Sequence, residues 1–470
     1  MKKHLFFDDN GLFGRDNVVR KYGEPILINQ YFDEVCSNDH CTSWVFKTDD
    51  GKYRLIYFAH SKDYEGFKMF CAISDDGINF KPEDVSDKAK APGRIYPHEI
   101  MSFEHRNEVA TIYEDKYTED KNERYKLLMT NLIWDELRIN DIIYTSADLY
   151  NWTLKEGSVW ADGAEPLASV FYNKHKGVHT IIERSDWGVR SAGYKETKDW
   201  KEFTEYHHCL NVDSDDEALA EIYGMMAFEY HGNYIGLPHM YRGLHSEHNA
   251  KFNNGIMDTQ LAYSLDGRYW RRSLRQPFIT GEGKDPNFKM VWIASQTVLP
   301  DQSIMFYGSA TLLEHGPAFR NPGTGRIVMY KLRSDGFVFF ESENPDTPSY
   351  VSTREKVWHG GELHLNINAK YATVALYDSC ETEDMGGNNA LGISHPLEGY
   401  GHEDCIPFSG DSIDWVVKYK NGNTLDSLKN KTLIFEVKFT DGTLYSISGD
   451  YTDVFNTQAA KFRKFGILPR

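Results

Sequence analysis

Three acidic residues that are far apart in the chain each stand just before, or near the start of, a strand-like apolar run. They are Asp39 in SNDHCTSWVF, Glu165 in DGAEPLASVFY and Glu221 in LAEIYGMMAF. Carboxyl groups that face one another across a pocket can hydrolyse a glycosidic bond, with one protonated acid for the leaving oxygen and one ionised base or nucleophile. A third carboxyl group can keep the pKa values of the other two apart or bind sugar hydroxyls. Asp39, Glu165 and Glu221 are therefore candidate catalytic residues.

Other polar and aromatic side chains near the same strand starts are candidate substrate contacts. A guanidinium group can bind a carboxylate or a pair of hydroxyls, and an indole ring can stack on the C–H face of a sugar. Surface exposure of the arginines, hydrogen bonding of the histidines and core packing of the tryptophans are the competing explanations. The candidates are Trp44, His98, Glu99, Arg190, His239, Arg242 and Glu282, followed by Trp187, Trp292 and Asp285.

Metal chemistry has little support in the sequence. His245 and His248 are three residues apart in LHSEHN but lack a clear third ligand. The six cysteines show neither a CxxC spacing nor a cysteine–histidine ligand spacing. We expect no metal, no cofactor and no disulfide framework.

A short pattern that ends in an aromatic residue recurs along the chain, and it predicts the elements that must position these residues. The copies are AISDDGINF, YTSADLYNW, AGYKETKDW, AYSLDGRYW and KLRSDGFVF, and each follows another strand-like hairpin segment. Their ends are about 50 to 70 residues apart, within the range of a β-propeller blade with variable loops. The pattern predicts five blades whose outer hairpins turn at Ser, Asp and Gly and whose aromatic residues pack between blades. Asp76 and Asp266 are then turn residues rather than catalytic groups.

The propeller prediction explains why distant residues should meet. The first strand of every blade lies around the central channel, so residues entering these strands converge at one end. Helical periodicity is scarce, and VDSDDEALAEIY is the best short candidate. After about residue 345 the sequence pattern changes: SENPDTPSY is typical of a linker, and short segments of alternating strand pattern follow it. We predict an all-β protein with a five-bladed β-propeller at residues 1–344 and a C-terminal β-sandwich at residues 345–470.

Composition limits the partners. A chain of 470 residues favours two domains. The aromatic share of 14% suits both β-rich cores and sugar-stacking surfaces. A formal charge of −18 without a basic stripe argues against nucleic acid or an anionic membrane as partner. No apolar run is long enough for a secretion signal or a membrane span, so we expect a cytoplasmic protein with a carbohydrate partner and leave the oligomeric state open.

The predicted five blades, the C-terminal strands and the three acids resemble the furanosidase superfamily, in particular invertase- and levansucrase-like glycoside hydrolases. Asn38-Asp39 is similar to the nucleophile motif, although His40 and Cys41 replace the expected Pro and Asn. Glu165-Pro166 is similar to the motif of the transition-state-stabilising Asp, with Glu in place of Asp. The resemblance implies that Glu221 is the general acid, although Ile222 follows it in place of Cys.

Three functions remain open from the sequence. The first is a glycoside hydrolase that acts on small oligosaccharides or furanosides with Asp39, Glu165 and Glu221. The second is a glycoside phosphorylase on the same scaffold, which needs Arg, Lys or His beside the acid; Arg190, Arg242 and His239 are the candidates. The third is a propeller that binds glycans without catalysis.

Overall fold

The computed structural model describes the chain except for residues 38–42, 62–65, 104–106, 134–137, 158–159, 161–164, 186–188, 247–253, 285, 319–322, 379–382, 385–390, 393–394 and 455–470. Its described elements are nearly all β-strands, with one four-residue helix, α1 (His315–Ala318), and 3₁₀ turns at Lys121–Glu123, Gly243–His245 and Leu425–Leu428. The all-β prediction is therefore confirmed for this part of the chain. Within it, no helix has the length and apolarity that crossing a membrane would need.

In chain order, the N-terminal strands are β1 (Lys2–His4), β2 (Leu12–Asp16), β3 (Val18–Tyr22), β4 (Ile26–Tyr31) and β5 (Cys36–Ser37). The next are β6 (Ser43–Lys47), β7 (Tyr53–Ser61), β8 (Phe67–Ser74), β9 (Lys81–Pro82), β10 (Glu99–Phe103), β11 (Asn107–Glu114), β12 (Tyr125–Ile133), β13 (Arg138–Ser146) and β14 (Thr153–Leu154). They are followed by β15 (Glu165–Asn173), β16 (Val178–Ser185), β17 (Ser191–Thr197), β18 (His207–Leu210), β19 (Ala220–Tyr230), β20 (Asn233–Arg242), β21 (Ile256–Ser264), β22 (Trp270–Ile279), β23 (Met290–Val298), β24 (Ile304–Thr311) and β25 (Gly325–Leu332). The C-terminal strands are β26 (Val338–Ser342), β27 (Ser349–Thr353), β28 (Lys356–Asp378), β29 (Glu383–Asp384), β30 (Leu391–Gly392), β31 (Phe408–Val416) and β32 (Thr432–Asp453).

The chain divides into two compact units at boundaries that differ from the predicted ones. The central unit is Glu24–Leu332, and the other combines Met1–Gly23 with Arg333–Arg470. The N-terminal strands belong with the C-terminal ones because they pair with them: β1 with β32, β2 with β27 and β3 with β26. Residues 1–23 therefore belong to the same unit as the C-terminal strands. The central unit begins at Glu24 and not at residue 1, as we predicted.

The described strands of the central unit form five consecutive antiparallel sets. Set 1 contains β5 to β10, set 2 β11 to β14, set 3 β15 to β18 and set 4 β19 to β22. Set 5 contains β23, β24 and β25, and its outer strand is β4 from the beginning of the unit, with Tyr31 opposite Ile327. Sets 4 and 5 are joined by one bridge between Met257 and Met290. The earliest strand of this unit thus completes its last set.

Contacts run from each set to the next and from the fifth set to the first. Phe46 in set 1 packs edge-on against Tyr125 in set 2, with ring centroids 5.4 Å apart. The Trp200 indole of set 3 donates to Asp115 Oδ2 of set 2 at 2.9 Å. The remaining contacts are Ser169 Oγ to Met225 O (sets 3 and 4, 2.9 Å), Thr259 Oγ1 to Val291 O (sets 4 and 5, 3.3 Å) and Val45 N to Ser295 Oγ (sets 1 and 5, 3.1 Å).

The recurring Ser-Asp pattern forms one hydrogen-bonded turn four times, at the ends of β8, β13, β17 and β21. Ser264 Oγ accepts from the backbone N–H of Asp266 at 3.3 Å and of Gly267 at 2.9 Å. Asp266 Oδ1 accepts from the next two N–H groups at 2.8 and 2.9 Å. The same four contacts form at Ser74–Asp76, Ser146–Asp148 and Thr197–Asp199.

The residue that follows the Asp of each turn has a positive φ, which explains the glycines of the pattern. Gly77 and Gly267 both have φ of 76°, where a glycine lacks the steric penalty of a Cβ. Leu149 and Trp200 adopt φ of 71° and 60° at the same place, and their buried side chains offset the strain. The turn interpretation of Asp76 and Asp266 is therefore confirmed.

The aromatic residues that end the pattern pack between neighbouring sets, as predicted. Phe80 of set 1 lies edge-on to Tyr307 of set 5, with ring centroids 6.3 Å apart. Trp270 of set 4 lies edge-on to Phe171 of set 3, at 6.2 Å. The turns that begin at Ser74 and Ser264 therefore also place a large ring at an inter-sheet contact.

The fifth copy of the pattern, KLRSDGFVF, was predicted wrongly as an outer hairpin of the same kind. Asp335 in this copy is buried in the N- plus C-terminal unit. Its carboxylate accepts hydrogen bonds from Lys3 Nζ at 2.7 Å, Asn366 Nδ2 at 3.1 Å and Ser446 Oγ at 2.6 Å. Because β4 occupies the outer position of set 5, the chain leaves this set after β25.

The best short helix candidate, VDSDDEALAEIY, is not helical, since turns precede β19 and the strand begins at Ala220. Asp213 accepts a hydrogen bond from Arg275 at 2.6 Å, and Asp216 accepts two from Arg272 at 2.5 and 2.6 Å. These ion pairs to β22 hold the acidic segment in a non-helical conformation despite its helical composition.

The other unit contains an eight-stranded sheet in which β2, β27, β32, β26 and β3 are neighbours. Two long strands, β28 and β32, pair from Trp358 opposite Tyr451 to Asp378 opposite Leu433. Gly360 and Gly361 interrupt the pleat of β28 with φ of 114° and 83°. The two-layer sandwich remains a prediction.

The repeated turn makes a testable distinction between adjacent aspartates. We expect Asp76→Ala to lower the free energy of unfolding by about 1 to 2 kcal/mol, because two backbone N–H groups lose their acceptor. Asp75→Ala is the matched control, because its ion pair with Lys52 is exposed and screened by solvent and should contribute little to stability. Urea denaturation of both variants checks this, and equal destabilisation would contradict the turn assignment.

Candidate functional site

Glu221 is the second residue of β19, and an arginine holds its carboxylate. Arg190 Nη1 donates to Glu221 Oε2 at 2.6 Å, and the Arg190 backbone N–H lies 3.4 Å from Oε1. The Glu221 side chain is 24% exposed and that of Arg190 is 17% exposed. The backbone strengthens the arrangement, because Ile222 N–H donates to Arg190 O at 3.1 Å. The ion pair is therefore half-buried and fixed at three points.

Two tyrosine rings support the guanidinium group of Arg190. Its central carbon lies 5.3 Å from the centre of the Tyr223 ring and 5.8 Å from that of Tyr241, within cation–π range. The Tyr223 hydroxyl and His315 Nε2 are 2.7 Å apart. Burial raises the pKa of Tyr241 to about 12, so its phenol stays neutral at ordinary pH. We call Arg190, Tyr223 and Tyr241 the arginine cradle.

A β-bulge places Tyr223 in the cradle. Ile222 lies opposite Met240 and Gly224 opposite His239, which leaves Tyr223 as an extra residue. Bulges also interrupt β11 between Val109 and Thr111, and β23 between Ile293 and Ser295, where the extra residues are alanines. Bulges re-aim side chains and are common next to active sites. Set 4 thus carries a tyrosine where sets 2 and 5 carry alanine.

Glu165 begins β15, the neighbouring first strand, at the same end as Glu221. Ser169 bridges Met225 O and Ala227 N of β19, both at 2.9 Å, and further along, Asn173 Oδ1 accepts from Tyr234 OH at 3.0 Å. Glu165 itself lies opposite Arg184 in the pairing of β15 with β16. The backbone of Glu165 is described, whereas its side chain lies outside the described part.

Arg184 connects the Glu165 end of set 3 with the cradle. Its guanidinium carbon lies 4.6 Å from the centre of the Tyr223 ring, and Nη1 lies 3.5 Å from Tyr223 O. The side chain is almost fully buried, at 2% exposure. Two arginines therefore contact the ring of Tyr223 from neighbouring segments of set 3.

Several sequence candidates lie outside the described residues. They are Asp39, Trp187, His248 and Asp285. Their proposed roles stay predictions.

His98 and Glu99 take part in buried networks of set 1. His98 Nε2 lies 2.7 Å from Asp33 Oδ2, which also accepts from the Tyr57 hydroxyl. Glu99 forms an ion pair with Lys68 at 2.6 Å, and both side chains are at most 1% exposed. These contacts argue against both as substrate contacts and assign them to packing of the first sheet.

His239 and Arg242 on β20 also have structural partners. His239 is 2% exposed, and its Nε2 accepts from Ile293 N–H at 3.1 Å. Burial lowers the pKa of His239 to about 3, so the imidazole is neutral. Arg242 is held by Asp258 and by Glu217 at 2.9 Å. Neither side chain joins the cradle, and both have protein partners in the described structure.

The remaining candidates do not form a binding surface in the described structure. Trp44 and Trp292 are 3% and 4% exposed and pack in apolar clusters, so neither presents an open ring face. Glu282 is exposed, in a turn where its N–H donates to Thr280 Oγ1. His245 Nε2 contacts Glu217 at 2.8 Å, and the described residues contain no group of three or more metal-ligating side chains.

Sequence reasoning missed four residues of this site: Arg184, Tyr223, Tyr241 and His315. Tyr223 could have been found from the sequence. When the first strands of sets 2, 4 and 5 are aligned, Tyr223 occupies the position of Ala110 and Ala294. The others depend on strand pairing and on α1, which carry no local pattern.

The chain is similar to known proteins only in the comparison with solved structures. No family model and no curated protein matches the chain. A thermostable family-43 glycoside hydrolase is 14% identical, with a TM-score of 0.44 over 68% of this chain and 95% of its own. A glycosyl hydrolase from Bacteroides ovatus is 14% identical, with a TM-score of 0.40 over 70% and 96%. A structure reported under the GH130 family of mannoside phosphorylases, which contains glycoside hydrolases, is 14% identical, with a TM-score of 0.39 over 70% and 96%.

The Asp33 network predicts a pH-dependent contribution to stability. Burial alone would raise the pKa of Asp33, but hydrogen bonds from His98, Tyr57 and Val35 outweigh it and lower the pKa to about 2. Since the folded pKa lies below the value of about 3.9 in unfolded chains, this stability is present above about pH 4 and is lost as pH falls towards 2.

We expect Asp33→Asn to reduce the free energy of unfolding at pH 7 by roughly 2 kcal/mol and to flatten the loss of stability between pH 5 and pH 2. Urea denaturation across this pH range measures both effects, with the exposed Asp75→Asn as control. An unchanged pH slope in Asp33→Asn would overturn the assignment.

Proposed function

We propose that the chain is a glycoside hydrolase that acts on small oligosaccharides, with furanosides as the first class to test. One observation carries the proposal: Glu221 and the backbone of Glu165 share one end of two adjacent first strands, beside two arginines and two tyrosine rings. Carboxylates supplied from separate strands are what glycoside hydrolysis needs. Asp39, just ahead of β6, is the proposed third acid.

We infer that the five strand sets are the blades of a five-bladed propeller and that the other unit is a β-sandwich. The contact order of the sets and the closure of set 5 by β4 support a radial arrangement. In such an arrangement the starts of β6, β15 and β19 face a common axis. Asp39, Glu165 and Glu221 would then converge although about 180 residues separate the first from the last.

The arginine cradle suits a sugar ligand. Arg190 and Tyr223 are partly exposed beside Glu221, and a guanidinium group binds pairs of oxygens. Tyr241 is 6% exposed and supports the guanidinium group. The proposal therefore assigns binding to the cradle and bond cleavage to the acids.

A phosphorylase is the second candidate, favoured by the two arginines that contact Tyr223. Phosphate would replace water as the attacking group, and arginine is a suitable ligand for it. Of the three cations predicted from the sequence, Arg190 lies beside Glu221, whereas His239 is buried and Arg242 pairs with Asp258 and Glu217.

Glu221→Gln tests the proposal on aryl furanosides and pyranosides, with and without phosphate. We expect phosphate-independent turnover that falls roughly 10²- to 10⁴-fold in the variant, since a reacting carboxyl group is removed. Glu217→Gln is the matched control, because Glu217 is also 24% exposed and bound to an arginine, yet lies outside the cradle. Release of sugar measured by chromatography confirms the product.

The alternatives give different results. Turnover only with phosphate would establish a phosphorylase. Glycan binding without turnover, unchanged in Glu221→Gln, would establish a binding module and overturn the enzymatic proposal.

A further inference from the structure

We propose that Val189, Leu219 and Leu244 bind an apolar aglycone, the aryl or alkyl group on the leaving side of a glycoside substrate. The inference rests on the proposed function and narrows its substrate class to glycosides with an apolar leaving group. Its grounds are the position, the exposure and the backbone conformation of these three residues, which we call the apolar rim.

All three side chains of the apolar rim are exposed. Val189 is 47% exposed, Leu219 58% and Leu244 52%. A single exposed aliphatic residue is ordinary on a protein surface. Three of them beside one carboxylate, brought there by different segments, call for a specific explanation.

Three separate segments bring the rim to Glu221. The backbone N–H that follows Val189 lies 3.4 Å from Glu221 Oε1. Leu219 is two residues before Glu221, and its carbonyl accepts from Gly243 N–H at 3.3 Å. A Cβ atom at Gly243 would lie 3.3 Å from Leu219 Cβ, so the turn that carries Leu244 packs directly against Leu219.

The backbone of Leu219 is strained without the compensation found elsewhere in the chain. Its φ is 64°, a conformation in which a Cβ atom is unfavourable. Leu149 and Trp200 also have positive φ, but their side chains are buried, whereas that of Leu219 is exposed. The other non-glycine residues with positive φ in the described part of the chain are polar. Strain that packing does not offset is typical of ligand-binding positions.

The exposure of the neighbouring side chains places the rim outside the point of bond cleavage. The side chains of Arg190 and Glu221 are 17% and 24% exposed, less than any residue of the rim. The sugar that contacts the carboxylate therefore occupies the more buried part of the site. The leaving group occupies the outer part, against the rim.

The composition of the rim favours an apolar group over a second sugar. Sugar recognition uses hydrogen-bonding side chains and aromatic faces, whereas the rim supplies aliphatic groups. The polar side chains that follow Leu244 have protein partners: His245 contacts Glu217 at 2.8 Å, and Ser246 donates to Glu314 at 2.7 Å. Aliphatic side chains bind an aryl or alkyl group because apolar surface of both is removed from water.

The length of the leaving group tests the rim. The measurement is kcat/KM for the hexyl and methyl glycosides of one sugar, with the wild type, Leu219→Asn and Leu244→Asn. We expect the hexyl-to-methyl ratio to fall about 10-fold in each variant, because apolar contacts with the hexyl chain are lost. Leu265→Asn is the matched control, since Leu265 is 60% exposed in the turn after β21 and should leave the ratio unchanged. An unchanged ratio in both rim variants would overturn the inference.

The stability of Leu219→Asn separates binding from a structural role. Asparagine tolerates a positive φ better than leucine does, so we expect the urea midpoint of this variant to equal or exceed that of the wild type. A lower midpoint together with an unchanged hexyl-to-methyl ratio would assign Leu219 to packing and contradict the proposal.

A titration without turnover separates failure of this inference from failure of the proposed function. In protein labelled with ¹³C at the leucine methyl groups, the resonances of Leu219, Leu244 and Leu265 are identified by their absence from the three variants. We expect 4-nitrophenol to shift the resonances of Leu219 and Leu244 and to leave that of Leu265 unchanged, and we expect glucose to shift none of them.

Three results of this titration would refute an aglycone site at the rim. They are equal shifts at all three leucines, shifts with glucose alone, and no shift at Leu219 and Leu244. If no glycoside is turned over, the proposed function fails, while the titration still decides whether the rim binds an aryl group.

Discussion

The register between the first strands of sets 3 and 4 is the constraint on which the site depends. A single hydroxyl, that of Ser169, accepts from Ala227 N–H and donates to Met225 O, and both partners are buried. An unpaired backbone group in such a place would cost about 1 to 3 kcal/mol, so the two strands cannot slide past each other cheaply. This register brings the start of β15 level with the start of β19. The placement of Glu165, Glu221 and the cradle depends on it.

Local chemistry made the sheets and their turns predictable. The Ser-Asp turn depends on side chains that bond to backbone groups within three residues, so its pattern is visible in the sequence. The partners of set 5 and of the C-terminal sheet were not predictable in this way. Asp335 looks like a further copy, but Ser334 precedes it directly, where the other four copies have one residue in between. Its carboxylate is used by Lys3, Asn366 and Ser446, which no local rule connects.

The residues of the candidate site also differ in whether local sequence or tertiary pairing places them. Glu221 was found because its type and its place before a strand are both visible in the sequence. Its neighbour Arg190 was found for its chemistry, while Tyr223 and Tyr241 were passed over as ordinary strand aromatics. A bulge and a strand pairing, both tertiary features, turn these two rings into a support for the guanidinium group. The same logic removed His98 and Trp44, whose chemistry suited a site but whose burial assigns them to the core.

The closure of set 5 by β4 also constrains the order of folding during synthesis. The ribosome makes β4 about 300 residues before β25, its partner in the sheet, and makes β1 still longer before β32. Until then the nascent chain carries open strand edges of the kind that favour association with other chains. β4 adds apolar side chains to this open edge, because Ile26 and Ile28 are 66% and 39% exposed even in the folded unit.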